Sequence, residues 1–86
     1  DMANVAVFGV TGRMGRCLVR ALREADDLTL SGALASAGSS ALGHDAGDVT
    51  EAGPMGVAVT ADRGRALEGA DVLVDRVRFS LNTADN

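Results

Sequence analysis

Residues 4–25, NVAVFGVTGRMGRCLVRALREA, switch from a short Val-rich run to a helical pattern across three glycines spaced G-x-x-G-x-x-G. An apolar run this short that ends in glycine reads as a strand buried on both faces. Beyond Gly12, Met14, Cys17, Leu18, Ala21, Leu22 and Ala25 recur at helical spacing and predict one apolar helix face. On that reading Cys17 and Met14 belong to the core. Arg16, Arg20 and Arg23 form a solvated stripe opposite, while Arg13 falls in the first turn, where anions bind. A strand that turns tightly into a helix commits the chain to a crossover, because the helix must pack back on the sheet that the strand joins.

The rest of the sequence repeats the alternation. Residues 28–34, LTLSGAL, return to strand composition, and residues 35–56 are polar and glycine-bearing with no sustained period, which predicts a long loop. A brief strand over 57–59, a short helix over 61–67 and a strand over 71–74 follow. The order β-α-β-loop-β-α-β predicts an α/β fold: a Rossmann-like, doubly wound parallel sheet of half size, with about four strands in order 3-2-1-4 and two helices. Residues 1–86 are expected to form one truncated dinucleotide-binding domain with the substrate domain absent. Its tail, 76–86, should fray, leaving the edge of the fourth strand open to self-association.

Composition removes several classes of function. With 86 residues the chain has room for one small core, and 47% hydrophobic content argues against disorder. All eight basic residues are Arg, against twelve acids, and the net charge of −4 disfavours a nucleic-acid partner. Phe8 and Phe79 are the only aromatics, too few for a base-stacking platform. One Cys, Cys17, and one His, His44, provide neither a disulfide nor a clustered metal site, and His44 is expected to face solvent. No apolar run is long enough to span a membrane, so a reducing, cytoplasmic setting is expected.

The glycine loop supplies the candidate chemistry. Gly9 allows the tight turn out of the strand, Gly12 removes a side chain that would hold phosphate away from the backbone, and Gly15 lets helix and strand approach closely. The first-turn amides then face an anion with a partial positive charge. Thr11 and Arg13 add a hydroxyl and a guanidinium to this cradle. The second part of a dinucleotide fingerprint is an acid at the carboxyl end of the second strand. That end reads Leu34-Ala35-Ser36, with no acid in place unless Asp45 or Asp48 folds back from the long loop.

Three stretches, VAVFGVTGRMGRCLVRAL, GALASAGSSALGHDAGDV and GADVLVDRVR, together resemble the amino-terminal region of the bacterial 4-hydroxy-tetrahydrodipicolinate reductase (dihydrodipicolinate reductase) family over residues 4–78. The resemblance implies an oxidoreductase of the diaminopimelate route to lysine that uses NADPH or NADH and assembles through a carboxyl-terminal domain. It places the cofactor at Gly9, Val10, Thr11, Gly12, Arg13, Met14 and Gly15, with Ser36 beside the adenosine ribose. Ala35 stands where the family usually carries a ribose-binding acid, and Ser36 where some members carry Arg. The family's Asp-Phe-Thr after the fourth strand is replaced by Asp75-Arg76-Val77, and its catalytic His pair and Lys have no counterpart.

Two readings follow. In the first, the chain is the cofactor-binding part of such a reductase, a fragment that holds NADP or NAD weakly and performs no catalysis. In the second, it is a non-enzymatic α/β module that associates through its fourth strand and keeps a remnant glycine loop.

Overall fold

The computed structural model describes residues 2–75 and the backbone of 78–81. Five strands form one sheet: β1 (Ala3–Phe8), β2 (Leu28–Leu34), β3 (Val59–Thr60), β4 (Val72–Asp75) and β5 (Arg78–Leu81), in spatial order β3-β2-β1-β4-β5. The first four are mutually parallel in the expected 3-2-1-4 order. The helices are α1 (Arg13–Glu24), α2 (Ala46–Val49) and α3 (Arg63–Leu67), one more than the sequence pattern predicted. β1 is central, with Val5 and Val7 turned into a core that includes Val19 and Leu22 of α1. Alternation along the strand turns Ala6 and Phe8, both buried, to the opposite face. There the Arg63 guanidinium of α3 stands 5.3 Å from the centre of the Phe8 ring, a cation–π contact.

The edge expected to be open beside the fourth strand is covered. β5 pairs antiparallel with the full length of β4, from Val72 opposite Leu81 to Asp75 opposite Arg78. The segment RFSL is too short to show a period, which is why the sequence pattern did not separate it from the tail. The fraying expected at 76, 77 and 82–86 falls outside the described residues.

The apolar face of α1 is rotated from the expected stripe. Gly15, Val19 and Leu22 are buried, whereas Met14 is 52% exposed and Cys17 and Ala21 also face solvent. Gly15 fixes this rotation: its missing side chain lets the helix rest on the backbone of Gly9 and Val10, which turns positions 14, 17 and 21 outward. Cys17 is therefore an exposed thiol and not a core one.

The stretch 35–56 is also more ordered than a periodless sequence suggested. Its residues 43–46 run antiparallel to 57–59 through Gly43 N–H to Val59 O (2.9 Å), Val59 N–H to His44 O (2.9 Å) and Ala46 N–H to Val57 O (2.7 Å). Ala41, Ala46 and Thr50 are buried, and the Thr50 hydroxyl donates to Ala46 O at 2.8 Å. Two arginines assigned to a solvated stripe hold this stretch against α1. Arg23 Nη1 donates to Pro54 O at 2.7 Å, and Arg16 lies 3.7 Å from the Glu51 carboxylate.

Candidate functional site

At the carboxyl ends of β1 and β2 the chain turns into α1 and into the 35–56 stretch, so both loops border one crevice. The turn is built by Gly9 at φ 75, a left-handed conformation that favours glycine. Gly9 N–H and Val10 N–H both donate to Leu34 O, at 3.0 and 3.1 Å, and Gly12 N–H donates to Gly9 O at 3.0 Å. Those bonds fasten the loop to β2 and curl it onto itself. The first i→i−4 bond of α1 is made by Arg16 N–H to Gly12 O, so the amides of Arg13, Met14 and Gly15 stand ahead of it. Gly12 caps the helix with no side-chain hydrogen bond, and the first turn holds no acid. Nothing in the loop's own chemistry therefore neutralises the positive end of the α1 dipole.

These residues line a cleft of about 440 Å³ together with the end of β2: Gly9, Thr11, Gly12, Arg13, Met14, Gly15, Ala35 and Ser36. Seven of the eight expected cofactor residues thus meet at one place. Val10 is the exception, since its side chain is fully buried in the core and it supports the loop from behind. Ala35, which the residue pattern marked only as a missing acid, contributes a wall of the cleft. A larger concavity of about 570 Å³ lies between β2, β3 and α3, against Ser31, Gly32, Val59 and Arg65. It offers no glycine turn into a helix amino-terminus, so the smaller cleft is the candidate site.

Asp45 does not fold back to the end of β2. Its Oδ1 accepts from Gly47 N–H (2.8 Å) and Met55 N–H (2.9 Å), and its Oδ2 accepts from Gly56 N–H (2.7 Å). The residue caps α2 and gathers both ends of the 45–56 stretch, a role that its D-x-G spacing ahead of a short helix could have signalled. The Met55 amide leads in holding the carboxyl below its ordinary value of 3.8; burial opposes it, and the amides of Gly56, Gly47 and Asp48 each add a lesser lowering. Since the folded pKa is lowered, Asp45 stabilises the fold above the unfolded pKa, and that contribution is lost as pH falls through the folded value. Asp45→Asn keeps one acceptor oxygen but puts an NH2 against Gly56 N–H; it is expected to lower stability at neutral pH by about 1 kcal/mol and to flatten the fall in stability at acid pH, measured by urea unfolding across pH.

Among the described residues no group of three or more His, Cys, Asp or Glu side chains could hold a metal ion. No helix among them is long and apolar enough to cross a membrane. His44 is exposed, as expected for a loop residue. The family model described as dihydrodipicolinate reductase, N-terminus, matches residues 3–84. The chain belongs to that family. It is 51% identical over 75 residues to the 4-hydroxy-tetrahydrodipicolinate reductase of Nitrosomonas europaea, covering 87% of this chain and 28% of the relative. The protein of that name from Anaeromyxobacter dehalogenans strain 2CP-C is 49% identical over 74 residues, 86% of this chain and 27% of its own length. That from Geobacter sulfurreducens is 45% identical over 74 residues, again 86% and 27%. The chain thus spans little more than a quarter of these dihydrodipicolinate reductase relatives. The resemblance first read from the GRMGR and GSSALGHDAG runs is borne out.

Proposed function

We propose that the chain is the cofactor-holding part of a dihydrodipicolinate reductase of lysine and diaminopimelate biosynthesis in the cytoplasm, binding NADP or NAD weakly and performing no catalysis by itself. The observation that carries this reading is the amino-terminus of α1 without a side-chain cap, which opens into a cleft whose only ionisable lining residue among the described residues is Arg13. The cradle fits a pyrophosphate. First-turn amides donate to its oxygens, Thr11 offers a hydroxyl, Arg13 offers a guanidinium, and the absence of side chains at Gly9 and Gly12 allows close approach. When bound, the dinucleotide supplies or accepts a hydride. The chain's own residues bind and orient its phosphates, while Val10 and the bonds to Leu34 O keep the loop rigid. The weak point is the ribose, since Ala35 has no acceptor to give it.

Amide NMR with NADPH and NADH tests the proposal. Shifts should concentrate at Gly9–Gly15 and Ser36, with affinity in the upper micromolar to millimolar range. Unmoved amides in that loop at millimolar ligand would sink it.

A further inference from the structure

We infer that residues 43–46 are a detachable guard over the outer edge of β3, pinned by the Asp45 carboxylate, and that the edge beneath is one on which a second copy of the chain can add a strand. β3 ends the sheet order on its side. Residues 56–61 around it read GVAVTA, without a charge or a proline, which is the composition of a segment that recruits further strands when its edge is bare. The guard takes up the outward groups of that edge: Val57 O accepts from Ala46 N–H, Val59 O accepts from Gly43 N–H, and Val59 N–H donates to His44 O. Asp45 itself bridges to Ala58 in the same antiparallel sense.

What holds the guard down is hydrogen bonding more than burial. Gly43 and His44 are exposed and Asp45 is half-buried, so of the four residues only Ala46 enters the core. The Asp45 carboxylate closes the pairing at its base, with Oδ1 accepting from Met55 N–H and Oδ2 from Gly56 N–H, the two residues that lead into 57–59. Without those bonds the two runs are joined only by the connection through α2, and their register rests on backbone bonds at a surface. Segments held by so little apolar contact open locally, ahead of the rest of the fold. Arg23 and Arg16 bind Pro54 and Glu51, not the guard, so residues 43–46 can lift while that part of the stretch stays docked on α1.

Amide hydrogen exchange and sedimentation velocity on the full 86-residue chain test both halves of the inference. In Asp45→Ala the amides of Gly43, Ala46 and Val59 should lose protection about tenfold or more relative to those of β1, the factor carried by one hydrogen bond to a charged acceptor. Asp45→Asn, which keeps one acceptor oxygen, should show a smaller loss, and it carries the test where Asp45→Ala does not fold. The loosened variant should form dimers or larger species whose share rises with concentration, under conditions where the parent is monomeric. Ala58→Lys, at an exposed position beside Val59, should restore the monomer in that background without restoring protection. Protection that falls only in step with β1 overturns the guard. Loosened amides without association overturn the second-copy surface. Association that survives Ala58→Lys, or is equal in the parent, places the contact at another edge and overturns the inference as well.

Discussion

Gly32→Ala is expected to cost about 3 kcal/mol or more, the upper range for forcing extra volume into a packed interior. A Cβ on Gly32 would overlap the carbonyl oxygen of Ala66 and stand 2.7 Å from its carbonyl carbon and 3.0 Å from its Cα. All three are backbone atoms of α3, so no rotamer change relieves the clash. The strand is already irregular there. Register against β1 slips between Val5 and Ala6, which pair with Leu30 and Gly32 and leave Ser31 as the extra residue. The bulge and the bare glycine together make a seat for α3, which also reaches β1 through Arg63 and the Phe8 ring. For a chain of this size, total stability on the order of 4–13 kcal/mol means that such a loss would unfold a large part of the population if the margin is small. Urea denaturation followed by circular dichroism measures it. Gly38→Ala is the control, expected within about 0.5 kcal/mol of the parent, since nothing lies within 4 Å of a Cβ there. Equal midpoints for the two variants would show that α3 is not seated as described.

Gly15→Ala should be nearly as damaging and should also weaken ligand binding. Its Cβ would meet the Gly9 carbonyl oxygen and lie 2.8 Å from Val10 Cα. The helix can escape only by lifting its first turn from the strand, which moves the Arg13 and Met14 amides away from the cleft. We expect a loss of about 2–3 kcal/mol in stability, and at least a tenfold loss of NADPH affinity under conditions where the variant remains folded. Gly12→Ala separates the two effects. Gly12 has φ −76 and ψ 169, which any residue adopts, and its Cβ would have only one tight neighbour, Gly9 O at 3.3 Å. That variant should keep most of its stability and lose affinity, because the new methyl stands where phosphate approaches the backbone. Retained binding in Gly12→Ala would place the anion elsewhere.

The strand-glycine-helix unit, the sheet order and the meeting of the glycine turn with Ser36 at one cleft were all legible in the sequence, because each rests on local chemistry. Glycine spacing marks a turn, Val-rich runs mark buried parallel strands, and the crossover rule orders them. What was misread depends on contacts that periodicity does not carry. The stripe through Met14, Cys17 and Ala21 looks like the core face only if glycine is treated as neutral. Once Gly15 is required to touch Gly9 and Val10, Val19 and Leu22 become the inward positions. Residues 35–56 seemed a featureless loop because their order comes from Asp45 binding amides ten and eleven residues away and from arginines on another helix. Ala35 could be read as a lost ribose acceptor but not as a wall of the cleft. That needed the relative placement of two loops.

The middle position of β1 has a consequence for how the chain assembles. Its first residues are fastened to the start of β4: Asn4 N–H donates to Asp71 Oδ2 at 2.9 Å, Asn4 Nδ2 donates to Gly69 O at 3.0 Å, and Asp71 N–H donates to Asn4 O at 2.7 Å. The partners are 65 and 67 residues apart in sequence, so this closure spans the strands and helices between β1 and β4. β1 precedes β4 by some 65 residues, and until β4 arrives one flank of β1 lacks a hydrogen-bond ladder. Entropy lost in closing so wide a loop is returned only when β4 docks. A nascent β1–α1–β2 unit would hold the glycine turn but not a finished sheet, and cooperative folding would wait for the segment that begins at Gly69.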